Sequence, residues 1–332
     1  MKLRQLLFFL GLILVAGLLI GQFGQIQKFI STLEKLNIFI LILILPLRFL
    51  YYRENSKFFA SFFAIFKQKT NFKHLFRAVT AMNFVNIIFP SGGISGLSYL
   101  RKQVGKDVSS STITLAQFFY YVLLFIALVA SLAVAFVLLL LSNRVIRVSS
   151  RVTLVVLFAL LVVCIGMLIF IYNKNFTVEA IVIVLRPVNW LLRKSHKQQI
   201  TDEKVAEFID QFHDSLFFIQ DNWQKLGPSF WHILLMLLFD FASVYVVFLA
   251  FGTWINPSVV IAGYTLAQAA SLASIITAGV GLFEATMIAT FVGLGVSFDL
   301  ALSVTIVYRS IALWLFVPAG VYLYKHGVID GD

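Results

Sequence analysis

The chain has 332 residues, of which 60% are hydrophobic, 15% aromatic and 12% charged, and its mean hydropathy is +0.94. Soluble proteins carry about twice that share of charge, roughly 25%, so the composition excludes a soluble enzyme, a disordered chain and a disulfide-stapled secreted domain. The net charge is nevertheless +11, from 26 Lys+Arg against 15 Asp+Glu. In so apolar a chain this excess marks a polytopic membrane protein whose basic loops face the cytoplasm. Nucleic-acid binding is not expected, because no soluble basic domain is present to carry it. Cys164 is the single cysteine, which rules out an intrachain disulfide.

A spanning helix needs about 20 mostly apolar residues. In chain order, residues 6–20 form a short first run behind Met1-Lys-Leu-Arg4, read as a retained signal anchor because no small-residue cleavage site follows. Residues 36–52 form the next span, with Arg48 read as snorkelling to the nearby cytoplasmic face. The basic segment 51–77 then lies inside. Residues 78–89 are apolar but are interrupted after about 12 residues by Pro90-Ser-Gly-Gly-Ile-Ser-Gly96. Residues 112–141 and 152–172 are full spans, separated by the Arg144, Arg147 and Arg151 cluster that runs against the charge rule or binds outer headgroups.

The middle of the chain differs in kind. Residues 177–192, with Arg186, Pro187 and Trp190, read as an interfacial helix. Residues 202–224 read as a cytoplasmic amphipathic helix packed on the membrane rim, its apolar face running from Val205 through Phe208, Phe212, Leu216 and Ile219 to Trp223. Gly227-Pro228 is expected to end it. Residues 230–251 span again. Residues 259–277 are then broken by Ala278-Gly-Val-Gly281-Leu-Phe-Glu284, and 300–324 form the last span.

Lipid cannot pair exposed backbone, so glycine-rich breaks at membrane depth imply backbone sheltered by protein or lining a wet cavity. Both breaks are therefore read as re-entrant hairpins. Basic-residue placement puts both termini inside, so the first hairpin enters from the cytoplasm and the second from outside. Each is followed by a Ser/Thr-studded span. The expected fold class is an all-α polytopic membrane protein, with about six full spans plus two re-entrant helical hairpins in an inverted repeat. It forms one membrane domain over residues 1–332, divided into a first re-entrant half (36–141), a connecting segment (152–228) and a second re-entrant half (229–325).

Enzyme motifs fail in turn. There is no phosphate-binding G-x-x-x-x-G-K-[ST], no H-E-x-x-H and no cysteine pair. Gly93-Ile-Ser95-Gly96-Leu97 misses the nucleophile elbow at its last position. Catalysis, a metal and a cofactor are not expected. The informative residues are ionisable groups at membrane depth, where one charge costs about 2.5–3.5 kcal/mol on insertion scales. Asp240 lies near mid-span, Glu284 follows the second break, and Arg309 lies within the last span. The expectation is that Glu284 or Asp240 pairs with Arg309. The half-helices after Gly96 and Gly281 are expected to offer free N–H groups to an anion such as a lipid phosphate. Pro90, Gly92, Gly93, Gly96, Gly279 and Gly281 shape that site, and Ser91, Ser95, Ser98 and Thr277 add hydroxyls.

At these residues a resemblance emerges. Ile276-Thr-Ala-Gly-Val-Gly-Leu-Phe-Glu-Ala285, Leu294-Gly-Val-Ser297 and Val307-Tyr-Arg309 resemble a block of the flippase-like transmembrane family related to the membrane half of lysylphosphatidylglycerol synthase (the multiple peptide resistance factor). Pro90-Ser-Gly-Gly-Ile-Ser-Gly96 resembles its first Pro-Gly-rich break, and Asp240 stands where that family often has an acid. Thr277-Ala278 depart from its usual Pro-Gly, and Ser98 stands where many members have an acid. The resemblance implies a lipid translocator for an anionic, aminoacylated or polyprenyl-linked lipid in the cell membrane, lacking the aminoacyltransferase half. On that reading Glu284 and Arg309 are expected to bind the head group, with Asp240 compensating charge. The alternative expectation is a non-transporting scaffold or accessory subunit for an envelope lipid or glycan enzyme. Expected partners are a phospholipid or polyprenyl-linked lipid, the membrane, and either a second copy of the chain or an envelope enzyme.

Overall fold

The computed structural model describes residues 33–89, 93–141, 219, 221–273, 279, 281–315 and 317–326. The expected spans at 6–20 and 152–172, the interfacial helix, the Arg144–Arg151 cluster, Cys164 and most of the amphipathic segment lie outside the described residues. Within them the chain is helical, with no strand.

The expected span at 36–52 is two elements. A one-turn helix α1 (Ile38–Leu41) is capped by Asn37, whose Oδ1 accepts from the Phe39 amide at 3.0 Å. Helix α2 (Ile44–Ile65) follows. Pro46 explains the junction, since it has no N–H to give the Ile42 carbonyl one turn back. Helix α2 then continues 13 residues beyond the expected end at Tyr52, through Arg53-Glu-Asn-Ser-Lys57. Hydropathy falls there, yet the helix persists because Phe58, Phe59, Phe62 and Phe63 are buried in the protein. The segment read as a basic loop is therefore mostly packed helix.

Helices α3 (Phe72–Ile88) and α4 (Ile94–Val104) flank the first break and pack on each other. Helix α5 (Ser110–Leu141) has 32 residues, about 48 Å at 1.5 Å per residue. A short 3-10 turn (Trp223–Leu226) leads into α6 (Gly227–Ala250). Gly227-Pro228 thus begins a helix rather than only ending one. Proline suits a first turn, where an N–H has no intrahelical partner. Helices α7 (Pro257–Ala273) and α8 (Leu282–Gly293) flank the second break and also pack together. The last expected span is divided into α9 (Phe298–Trp314) and α10 (Val317–His326). Pro318, in the first turn of α10, would otherwise owe an N–H to the Trp314 carbonyl.

Helices α2 and α6 form the central seam and run antiparallel. Along α2, Arg48, Asn55 and Ser61 meet Asp240, Met236 and Ser229 in turn, and Ser61 Oγ lies 2.8 Å from Ser229 Oγ. The Asn37 amide donates to the Ala250 carbonyl at 2.8 Å where the seam ends. At the other end Thr70 donates to Asp107 at 2.8 Å, and His74 Nε2 lies 3.0 Å from the Gln103 carbonyl. Those contacts tie the α2–α3 and α4–α5 turns together. They gather seven exposed cations, Lys67, Lys69, Lys73, Arg77, Arg101, Lys102 and Lys106, into one basic end.

The two broken helix pairs approach this seam from opposite ends. The α3–α4 pair starts and finishes at the basic end. The α7–α8 pair starts beside the C-terminus of α6, and Phe291 near the end of α8 returns to Phe248 of α6 at a ring distance of 5.2 Å. Coverage is reciprocal. Helix α5, which follows the first pair, packs on α7 through Phe125, Leu132 and Leu266. Helix α10, near the end of the second half, packs on α3 through Phe84 and Tyr324.

Three helical stretches among the described residues are long and apolar enough to cross a membrane: Ser110–Leu139, Trp223–Ala250 and Phe298–Tyr324. Exposed Trp223 and Trp231 sit near one end of α6 and exposed Trp254 just past the other, as interfacial aromatic belts do. The seam's register yields a direct test. In a Cys164→Ser background, Ser61→Cys with Ser229→Cys should form an intramolecular disulfide under mild oxidation. Ser61→Cys with Ser243→Cys should not, and equal crosslinking of both pairs would refute the antiparallel register.

Candidate functional site

The centre of the seam holds a buried ion pair. Arg48 and Asp240 are each 4% exposed. Arg48 Nη2 donates to Asp240 Oδ1, and to Ser243 Oγ at 3.2 Å. Asp240 also accepts from two tyrosines, Tyr264 of α7 at 2.5 Å and Tyr308 of α9 at 3.1 Å. Four helices therefore converge on one carboxylate. The Arg48 guanidinium lies 4.9 Å above the Tyr51 ring centroid, a cation–π contact that partly replaces lost hydration. Snorkelling, the expectation for Arg48, is not what the structure shows. Its side chain turns inward because a carboxylate and a hydroxyl wait there.

The second pair is nearer the surface. Arg309 Nε donates to Glu284 Oε1 at 2.6 Å, with side-chain exposures of 13% and 23%. Of the two expected partners of Arg309, Glu284 is therefore the one it meets, and Asp240 serves Arg48. Glu284 Oε2 reaches back one turn to accept the Gly281 amide at 2.6 Å. Arg309 lies 4.3 Å from the Phe283 ring centroid. Phe283 in turn stacks on Tyr308 at 6.4 Å and meets Tyr264 edge-on at 5.8 Å. One aromatic ring thus separates the outer ion pair from the tyrosines of the inner one. Arg309 Nη2 is buried without a partner.

The half-helix starts are not open in the way the sequence suggests. At α8 the Glu284 carboxylate occupies the position an anion would take. At α4, Asn86 Oδ1 accepts the Gly96 amide at 2.9 Å. A Cβ at Gly96 would fall 2.4 Å from that oxygen, so glycine is what lets Asn86 approach. Ser95 Oγ donates to the Phe89 carbonyl at 2.7 Å and Ser98 Oγ to the Ile94 carbonyl at 2.9 Å. Both hydroxyls serve backbone. Gly93 has φ +92° and its Cα faces the Tyr121 hydroxyl; Gly279 has φ +76° and abuts Ser271. A side chain at either would suffer left-handed strain and a clash together. Gly281 also has positive φ, with open space where a Cβ would point. Pro90, Ser91, Gly92 and Thr277 lie outside the described residues.

Reasoning from sequence missed Tyr264, Tyr308, Ser243 and Asn86. The only available signal was chemical. A phenol or amide inside an apolar run needs a hydrogen-bond partner, but nothing in the run says which. No cluster of three or more His, Cys, Asp or Glu able to hold a metal occurs among the described residues.

Buried charges paired across apolar helices, exposed tryptophans at the helix ends and three span-length stretches define a helical membrane protein. The chain belongs to the family described as the lysylphosphatidylglycerol synthase TM region, whose model matches residues 6–320. No curated protein matches the chain.

The inner pair has a measurable weight. Removing one partner of a buried ion pair typically costs about 3–5 kcal/mol, whereas replacing both with apolar groups is often neutral. Asp240→Asn should therefore lower the detergent-solubilised melting temperature more than the double variant Arg48→Met/Asp240→Leu. The reverse order, read by thermal shift, would show that the pair is not the seam's electrostatic anchor.

Proposed function

We propose that the protein translocates an anionic, aminoacylated or polyprenyl-linked lipid between leaflets of the cell membrane, without chemically modifying it. Membership of a lysylphosphatidylglycerol synthase membrane-region family supports a lipid substrate. The observation that carries the site is the Glu284–Arg309 pair: a partly exposed salt bridge at a helix start, with Arg309 Nη2 buried and unpaired. An orphaned donor of this kind costs about 1–3 kcal/mol until something accepts from it. A phosphate oxygen would accept from that nitrogen. The head group then enters between the broken helix pairs while the acyl chains stay in lipid.

The reading treats the two pairs as re-entrant hairpins of an inverted repeat. Their entry from opposite ends of the α2–α6 seam supports this, as does the reciprocal coverage of α7 by α5 and of α3 by α10. Such repeats place substrate sites near mid-membrane in secondary transporters. The basic end faces the cytoplasm in this orientation, following the positive-inside rule.

Two measurements test the proposal. In vesicles reconstituted with headgroup-labelled phospholipid, Glu284→Gln retains the cap but loses the charge. Losing a charge-assisted hydrogen bond worth about 1.5–3 kcal/mol should slow translocation about tenfold or more; a rate equal to wild type removes the pair from the mechanism. In intact cells, Thr70→Cys in a Cys164→Ser background should resist an impermeant thiol reagent. Labelling from outside reverses the orientation.

A further inference from the structure

The first helix pair is fastened differently at its two ends. At the basic end, where α3 begins and α4 finishes, polar bonds tie the flanking turns to each other. Thr70 donates to Asp107 at 2.8 Å, the Ser109 amide donates to Gln68 Oε1 at 3.0 Å, and His74 Nε2 lies 3.0 Å from the Gln103 carbonyl. Such bonds are directional and hold a set geometry. Near the break the pair is bonded within itself, the Gly96 amide donating to Asn86 and Ser95 Oγ to the Phe89 carbonyl. It is therefore one stiff body with a firm root.

The break end meets its surroundings through packing. Gly93 faces the Tyr121 hydroxyl of α5, and α10 packs along α3. A Cβ at Gly320 would fall 2.5 Å from Phe84 Cβ, so glycine is what lets α10 approach α3 closely. One turn on, the Tyr324 ring stacks on Tyr99 of α4 at 5.4 Å and lies 6.5 Å from the Phe84 ring. Helix α10 thus touches both helices that flank the first break. Each of these contacts is individually weak, unlike the bonds at the root.

Helix α10 takes its direction from these contacts. Pro318 withholds the N–H that would continue the ladder from Trp314, and α9 and α10 are separate elements. Helix α9 itself is firmly placed, since Tyr308 donates to Asp240 and Arg309 to Glu284. The short link at 315–316 therefore ties the break end of the first pair to the helix that serves both ion pairs.

We propose that α10 is a strap over the first helix pair. While Gly320 and Tyr324 are seated, the break end is latched; when they lift, the pair swings as a body about its basic-end root. This rests on the translocator reading for its purpose, because a head group passing between the broken pairs needs room that a moving pair provides. It adds which pair moves, about what, and what releases it.

Two experiments in a Cys164→Ser background test the strap. Spin labels at Ile94→Cys, at the break end of α4, and at Trp254→Cys, past the end of α6, occupy exposed positions. Pulsed electron paramagnetic resonance on the detergent-solubilised full chain should give one dominant distance with native α10. Gly320→Leu, which cannot seat against Phe84, should add a second distance population, and Tyr324→Ala should add a smaller one. A single unchanged distance in both variants overturns the strap. Misfolding of Gly320→Leu is detected by thermal shift, and Tyr324→Ala alone then decides. In lipid vesicles, Gly320→Cys with Phe84→Cys brings two Cβ atoms within disulfide reach after a small outward shift. Oxidation should stop translocation and dithiothreitol should restore it; undiminished translocation after complete oxidation overturns the strap. If the distances respond as expected but wild-type vesicles move no lipid, the translocator reading fails and the strap stands. If vesicles move lipid while neither the variants nor the crosslink has an effect, only this inference fails.

Discussion

A charge pair in hydrocarbon has to be exact in its company, because no water is available to repair a poor fit. The Arg48–Asp240 pair imposes that condition on the whole molecule. Its carboxylate takes hydrogen bonds from α2, α7 and α9 and is itself carried by α6. Helix association in membranes gains little from hydrophobicity, since lipid is as apolar as leucine. One multiply bonded carboxylate is therefore a strong reason for these four helices to meet in a single register. The phenylalanine layer of α2 and α5 fills the space beneath it.

The two ion pairs are linked through stacked rings. Phe283 lies against Arg309 on one side and against Tyr264 and Tyr308 on the other. Tyr308 and Arg309 are neighbours on α9, so the same turn of helix serves the inner and the outer pair.

Much of this was legible in sequence, and the reasons differ by feature. The long apolar runs of α5 and α6 are read from hydropathy alone. The two glycine breaks are visible because Gly93, Gly279 and Gly281 interrupt runs that lipid would otherwise force to be continuous. The costly charges Asp240, Glu284 and Arg309 stand out for the same reason. What the sequence hides is partnership. Arg48 is 192 residues from Asp240, and no local pattern encodes a meeting over that distance. Hydropathy ends α2 at Tyr52 because it averages over the polar stretch Arg53–Lys57 and misses the buried phenylalanines behind it. The half-helix starts looked open because a cap supplied by Asn86 or Glu284 is a matter of three-dimensional approach.

The length of that separation also bears on how the protein is made. Chains emerge from the ribosome at about 5–20 residues per second, so Arg48 is synthesised roughly ten to forty seconds before Asp240 exists. During that interval α2 carries a guanidinium with no counter-ion in the nascent chain's later half. The helix has to wait in an environment that tolerates it, at the lipid headgroups or against the insertion machinery. The Arg48–Asp240 contact can form only once α6 has been made, so it belongs to the later contacts of the fold.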